Sequence, residues 1–571
     1  MIGPRLSPPP GRIFGLVDLC VLLALAAGIY GIVTVARQWS GVLQPVAEIH
    51  LQSRFLPVYM LYSVTRGIIA YGISFLFTMI YGYAAARIKG ADRIMLPILD
   101  ILQSIPVLGF LPGFVVGLVH LFPHRNLGLE MSSVLMIFTG QVWNMVFAFY
   151  ASLKSVPEDL AAVAQLSNLS WWQRFFRLDL SFAANSLVWN SMMSMAGGWF
   201  FLTVSEAFVL GKHDFRLPGV GSYMSVAIEQ GNLRAQWQGI LAMMAIIVSL
   251  DQLVWRPLVA WSKKFSAEEI EQHEGSDSWL LNVIQRSQLL RGLRWIGDQL
   301  RHVRKHASGT GPRSPDRIWN GEVVRWIKRI TIALFGAAVI YGLLKYVHLL
   351  RDIGATEWKA IFVSALLTFG RVMAAVALAS IWTVPAGVAI GRNPRWARAL
   401  QPIIQILASF PAPMVFPFAV GMMLLLGIGL GVGSIVLLLL GTQWYILFNV
   451  IAGVARIPPE LWEVARLNRL SWRQRWQKLI LPGIFPSLLI GWMTAAGGAW
   501  NASIVAEYIR FKGQMLATTG LGAFISQATD EGKFHLLAAA VTVMALAVVS
   551  FNRLVWRPLS VLAQSRFQFS P

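Results

Sequence analysis

Apolar runs long enough to cross a bilayer, about 20 residues each, recur along the whole chain, and they limit the possible folds more than any other feature. They fall near residues 16–36, 61–86, 101–122, 133–153, 186–210 and 236–255, then 327–347, 362–390, 403–426, 432–454, 487–509 and 535–556. With 56% hydrophobic and only 13% charged residues and a mean hydropathy of +0.59, the 571-residue chain leaves no room for a large separate soluble domain. The expected fold is all-α: a polytopic bundle of about twelve spans. That number is even, so both termini should share one side of the membrane.

The net charge of +21 could point to nucleic acid, but Lys and Arg cluster in short segments between apolar runs and no recognition module accompanies them. Arg87, Lys89, Arg93, Lys154, Arg174, Arg177, Arg392, Arg395, Arg398, Arg466, Arg469, Arg473, Arg475 and Lys478 occupy one topological set of loops, which the positive-inside rule makes cytoplasmic. The opposite loops carry fewer, among them Lys212, Arg216, Arg510, Lys512 and Lys533. Cys20, the single cysteine, lies in the first run and cannot form an intrachain disulfide. The first run lacks a small-residue cleavage site, so a retained span is expected rather than a removed signal peptide.

The two halves of the chain repeat. Arg66, Gly82, Pro97, Pro106 and Pro112 recur 305 positions later as Arg371, Gly387, Pro402, Pro411 and Pro417. Later positions keep a shift of 301, so that Trp199, Glu206, Gly219 and Gly221 match Trp500, Glu507, Gly520 and Gly522, and each half closes on LVWRPL. Six spans per copy make the repeats parallel, enclosing a pathway between them. The expected domains are residues 1–256, a basic cytoplasmic linker over 257–326, and residues 327–571. Within the linker, Leu289, Leu293, Ile296, Leu300 and Val303 predict an amphipathic helix suited to an anionic leaflet, and HASGTGPRSPDR reads as a flexible connector.

Between the fourth and fifth spans of each half lies a long basic loop with SVPEDLAAVAQLSNLSWWQRFFRLDL in the first and RIPPELWEVARLNRLSWRQRWQKLILP in the second. Proline followed by acidic residues predicts a short helix with its N-terminal dipole complemented, and a turn and second helix should follow. Tied to a span at either end, such a helix could be pushed as a lever. These loops resemble the EAA loop of permeases of binding-protein-dependent ABC importers, and the nitrate, sulfonate, taurine and bicarbonate type matches best. Ser63–Gly67, the Pro106 and Pro411 segments and the Trp, Glu, Gly-x-Gly order at Trp199, Glu206, Gly219 and Gly221 also point there.

The resemblance implies the type I importer permease fold in the bacterial inner membrane. It also implies coupling of the loops to two cytoplasmic ABC ATPase subunits through Pro157, Glu158, Asp159, Ala162, Ala164 and Ser170, and through Pro458, Glu460, Glu463, Ala465 and Ser471. A periplasmic or lipid-anchored substrate-binding protein, a small anion as solute, and ATP-Mg held by the partners rather than by this chain belong to the same picture. The family usually has glycine at the loop's turn, where this chain has Asn168 and Arg469, and the first copy lacks the terminal Leu-Pro.

Ionisable groups within spans need a partner or water. Arg66 and Arg371 have competing readings: anion contacts in a central cavity, structural pairs with Glu206 and Glu507, or snorkelling to the headgroups. Trp199, Trp500 and Asn501 are candidates for shaping the pathway, against a packing role. Gln141, Asn144, Gln443 and Trp444 offer neutral hydrogen bonds from the fourth spans. No nucleotide-binding loop, no H-E-x-x-H and no metal-spaced Cys/His cluster occurs, so ATP hydrolysis is expected in another subunit. The rival from another class is a gradient-driven carrier using Glu206 and Glu507.

Overall fold

A computed structural model describes residues 30–41, 48–104, 106–210, 213–265 and 322–566. Most of the first expected span, Cys20, the amphipathic helix and the connector lie outside the described residues. Two compact units are present, one built from residues 1–39, 156–188 and 249–339 and the other from 40–155, 189–248 and 340–571.

Helix α1 (Ser53–Arg87) is followed by α2 (Asp92–Ser104), α3 (Leu111–Leu121), α4 (Leu127–Lys154), the loop helix α5 (Glu158–Leu166), α6 (Leu180–Glu206), α7 (Val220–Glu229) and α8 (Leu233–Ser262). The second half runs α9 (Glu322–Arg351), α10 (Ala355–Arg392), α11 (Pro394–Ser409), α12 (Phe416–Leu425), α13 (Leu430–Ala455), the loop helix α14 (Pro459–Leu467), α15 (Trp472–Ala506), α16 (Leu521–Asp530) and α17 (Phe534–Ala563). Among the described residues seven helices, α1, α4, α8, α10, α13, α15 and α17, are long and apolar enough to cross a membrane. The all-α polytopic fold is as expected, and among the described residues two of the roughly twelve expected spans, the third of each half, are interrupted.

The third expected span fails in both halves for one reason. Pro106 and Pro411 sit in the middle of their apolar runs with extended backbone, ψ 116° and 112°, and each opens a tight 3-10 turn before the short helix α3 or α12. Proline has no amide to continue the helix and disfavours helical backbone in the residue before it. Pro97 and Pro402, inside α2 and α11, are accommodated without ending their helices.

The fifth runs, expected to stay helical to residues 210 and 509, end earlier, at Glu206 and Ala506. Each then turns into a two-stranded antiparallel hairpin: β1 (Ala207–Leu210) with β2 (His213–Arg216), and β3 (Tyr508–Phe511) with β4 (Gln514–Ala517). In the second hairpin Lys512 and Gly513 both take positive φ, 48° and 76°, which is the two-residue geometry that matches strand twist. A shared apolar core joins the halves: Val107, Leu108, Leu111 and Met136 belong to one buried cluster with Ala499, Trp500, Val541 and Met544. Gly109 is one place where they approach closely, since a Cβ there would lie 2.8 Å from a Val541 methyl.

Candidate functional site

The Gly-x-Gly segments begin α7 and α16, and a buried carboxylate holds each of them. Glu206 Oε1 accepts from Ser63 Oγ at 2.6 Å and Arg66 Nη1 at 2.8 Å, while Oε2 accepts from the Gly221 amide at 2.7 Å. Arg66 also donates to the Pro218 carbonyl, and Ser63 Oγ accepts from the Val220 amide. In the second half Glu507 accepts from Thr368 Oγ1 at 2.8 Å, Arg371 Nη1 at 2.8 Å and the Gly522 amide at 2.9 Å. Arg371 donates to the Thr519 carbonyl and Thr368 accepts from the Leu521 amide. Position for position the two networks are the same. The carboxylate neutralises a guanidinium and also satisfies an N-terminal amide of the short helix, which would otherwise be orphaned.

The glycines are required by this closeness. A Cβ at Gly219 or Gly520 would fall 2.3 Å from the carboxylate, and at Gly221 or Gly522 within 2.5 Å or 2.3 Å of the Thr203 or Ser503 carbonyl. Of the readings of Arg66 and Arg371, the geometry is that of structural pairs: both side chains direct their donors to protein acceptors.

The networks differ around the guanidinium, where Arg371 Nη2 donates to Thr518 Oγ1 at 3.1 Å at a position that is Leu217 in the first half. Arg66 also makes a two-pronged bond to Glu130, at 2.5 and 2.8 Å, inside the protein. The position of Glu130 in the repeat is Gly431, whose carbonyl alone meets Arg371 Nε at 3.1 Å. Arg66, Glu130 and Glu206 are all buried in the first network, whereas in the second Glu507 is buried and Arg371 keeps 11% of its side chain exposed. Sequence reading missed Glu130; the available signal was an acidic residue opening an apolar run.

Trp199 and Trp500 are packing residues, 3% and 2% exposed, with Trp199 against Gly67 and Trp500 near Phe369. Gln443 accepts from the Trp382 indole, a helix-to-helix bond. Asn501 reaches across the repeat, and its Oδ1 accepts the Val107 amide, just after the Pro106 break, at 2.8 Å.

Beside these networks, between the two hairpins, lies a cavity of about 200 Å³. None of the seven predicted pathway residues lines it. Two of their helices reach it through other residues, α6 with Val204 and α15 with Ile504 and Val505, and the strands that follow add Ala207 and Tyr508. The walls pair repeat-equivalent positions, Ser225 with Ser526 and Glu229 with Asp530. Arg216 donates to both Glu229 oxygens at 2.9 Å, and Arg510 donates to Glu229 Oε1 at 3.0 Å. Tyr508 donates to Asp530 at 2.8 Å, and burial pushes the Asp530 carboxyl and the Tyr508 phenol above their ordinary ranges.

The basic loops take the helix–turn–helix form that was expected. Pro157 and Pro458 precede α5 and α14, which start with Glu158 and Asp159 or with Pro459 and Glu460. Ser170 and Ser471 each form a reciprocal capping box with Gln173 or Gln474. Ala164 and Ala465 are buried, whereas Ala162, Glu463, Val163, Val464, Leu166 and Leu467 are exposed. Asn168 and Arg469 share the same left-handed φ of 47°, so arginine adopts the turn that asparagine does. A left-handed residue other than glycine costs roughly 1–2 kcal/mol, and glycine's extra freedom when unfolded offsets part of the relief. Arg469→Gly should therefore leave the turn intact and slow amide exchange across residues 468–475, as read by hydrogen–deuterium exchange.

The family model described as binding-protein-dependent transport system inner membrane component matches the chain twice, at residues 78–254 and 383–557. The chain belongs to this family. The permease is 30% identical over 184 residues to the bicarbonate transport system permease protein CmpB of Synechocystis, an alignment covering 32% of this chain and 62% of that relative. Over 207 residues it is 27% identical to the nitrate import permease protein NrtB of Synechococcus elongatus, covering 36% and 70%. Over 192 residues it is 30% identical to the taurine transport system permease protein TauC of Escherichia coli, covering 34% and 65%. The two family matches make the permease a fused duplication, and each contains one basic loop and one of the two buried glutamates, Glu206 or Glu507, whose partners Arg66 and Arg371 lie shortly before the matched residues.

Proposed function

We propose that this chain supplies both halves of the transmembrane passage of an ATP-driven importer for a small anion, with nitrate, sulfonate, taurine and bicarbonate as the candidate class. One observation carries the reading. Two short helices, in register across the repeat, turn apolar side chains outward: Val163 and Leu166 are 58% and 82% exposed, and Val464 and Leu467 are 51% and 82% exposed. An apolar helix face anchored at both ends suits docking into a groove of another protein. Two cytoplasmic ABC ATPase subunits are the partners it fits, with ATP-Mg bound by them. A periplasmic or lipid-anchored binding protein would deliver the solute to the hairpin end. In this reading the permease sits in the inner membrane with both termini and both basic loops cytoplasmic. Residues 1–256 and 327–571 form the two permease domains, and 257–326 form a basic linker.

Within this proposal Pro157, Glu158, Asp159, Ala162, Ala164 and Ser170, with Pro458, Glu460, Glu463, Ala465 and Ser471, build and present the coupling helices. Arg66, Arg371, Glu206 and Glu507 clamp α7 and α16, Trp199 and Trp500 pack behind them, and Asn501 holds the broken helix beside the cavity. The gradient-driven alternative draws little support from this geometry, because Glu206 and Glu507 each already accept several protein hydrogen bonds.

The buried alanine gives the test. Ala465→Leu forces a larger side chain beneath α14 and should lift it, whereas Glu463→Lys changes only the exposed face. In proteoliposomes containing the permease with its ATPase, both variants should lose most of the ATP hydrolysis stimulated by loaded binding protein, about tenfold or more if the contact is a buried interface anchor. Full stimulation in both variants, or uptake without any ATPase, would overturn the proposal.

A further inference from the structure

The cavity between the hairpins holds charges that the repeat does not account for. Ser225 and Ser526, Glu229 and Asp530, and Val204 and Val505 are equivalent pairs, but the two arginines are not. The repeat position of Arg216 is Ala517 and that of Arg510 is Val209, so each guanidinium arose in one half only. Both converge on a single carboxylate.

That carboxylate is held unequally. Glu229 receives bonds from Arg216 to both of its oxygens, and Arg510 adds one more to an oxygen already occupied. Arg216 is the less exposed of the two, at 13% against 38% for Arg510. If Arg510 turned away, Glu229 would keep its two-pronged partner and would not become an unpaired charge, so the step avoids the large cost of breaking a buried pair. Asp530, the other acid in the wall, accepts from Tyr508.

We propose that the cavity is an oxyanion site in which a singly charged nitrate-, bicarbonate- or sulfonate-sized ion takes the place of Glu229 on Arg510. Glu229 is the resident stand-in: a carboxylate offers a guanidinium the same pair of oxygens as such an ion. Size agrees, because about 200 Å³ lies below the roughly 300–1,000 Å³ of pockets for drug-sized ligands. Weak affinity is the expected consequence. Exchanging one oxyanion for another on the same guanidinium gains little, and a passage must bind its solute loosely enough to release it. The inference rests on the import reading for the direction of travel, but the binding event itself needs neither ATPase nor binding protein.

The full-length chain in lipid nanodiscs, without partners, is titrated with isotope-labelled nitrate, bicarbonate and methanesulfonate against chloride at fixed ionic strength. Binding is read as line broadening of the anion's magnetic resonance signal. Glu229→Gln removes the competing charge and should tighten binding about fivefold or more, while Arg510→Gln should weaken it about tenfold. Arg510→Lys keeps the charge without the fork and should fall between wild type and Arg510→Gln. If Arg510 and Glu229 merely staple the hairpins together, Glu229→Gln will leave binding unchanged or weaker, and that result overturns the site. So does Arg510→Gln binding like wild type. Should Arg510→Gln fail to give monodisperse protein, Glu229→Gln and Arg510→Lys decide the question alone. Reconstituted ATPase stimulation is measured separately. The charge-dependent pattern without ATPase coupling would sink the import reading and leave the site standing; intact coupling with an indifferent Arg510 would do the reverse.

Discussion

Arg66→Met is expected to be the most damaging single exchange in this permease. Glu130 and Glu206 are both fully buried and both lean on that guanidinium, so its loss strands two carboxylates at once. Removing one partner of a buried pair typically costs 3–5 kcal/mol, and about that much or more is expected here. Arg371→Met strands only Glu507, which keeps Thr368 and the Gly522 amide, so its cost should fall at the lower end. Thermal unfolding of the purified protein in one detergent compares the two directly. Adding Glu130→Gln to Arg66→Met should recover stability towards that of Arg371→Met, since the two networks then bury the same charges. Equal losses in the two single variants, with no recovery in the double, would mean that Glu130 is not part of the network's balance.

Gly522→Ala should be the next most severe. Its Cβ would meet the Ser503 carbonyl oxygen at 2.3 Å and the carbonyl carbon at 2.4 Å, both backbone atoms of α15. Neither can swing aside as a side chain would, so α16 must move off α15 and pull its amide from Glu507. Overpacking of this kind costs about 1–3 kcal/mol, to which the stretched charge-assisted bond adds. Gly221→Ala, facing the Thr203 carbonyl at 2.5 Å, should behave alike. Gly497→Ala is the control: nothing lies within 4 Å of its added methyl, and replacing a mid-helix glycine should stabilise by about 0.5–1 kcal/mol. A melting temperature for Gly522→Ala at or above that of Gly497→Ala would remove the steric account of the Gly-x-Gly segment.

Much of this architecture can be read from the residues, because membrane burial leaves a strong signature. Apolar length located most of the long helices, and the 301-residue shift in the second part of the repeat foretold that Glu507 would meet α16 as Glu206 meets α7. The loop helices were legible from proline, acid and leucine spacing. What escaped was local backbone detail inside uniformly apolar stretches. Residues 101–122 and 403–426 are apolar enough overall to read as single spans, although Gln103, Ser104 and Pro106, and Gln405, Ser409 and Pro411, mark where each run divides. The hairpins were hidden for a related reason: AFVL after Glu206 continues the apolar character of α6, and Lys512–Gly513 is a weaker turn signal than Asn-Gly.

The functional side chains were harder to place. Trp500 and Glu507 lie seven residues apart and share one helical stripe, which packs inward. Asn501 and Val505 share another, which faces the cavity or its wall. Periodicity separates the two stripes but does not say which one meets open space. Arg216 and Arg510 looked like exceptions to the charge rule for the outer loops. Only the fold shows that those loops double back as hairpins and bring both arginines to one carboxylate.

Glu130 facing Gly431, and Arg510 facing Val209, are mismatches that a complex of two identical subunits could never hold in single copy. It would carry each difference twice or not at all. Covalent joining fixes the stoichiometry at one of each version, so a substitution in either copy is always complemented by the same unlike neighbour. Fusion thus converts a homodimer's enforced sameness into room for the halves to specialise.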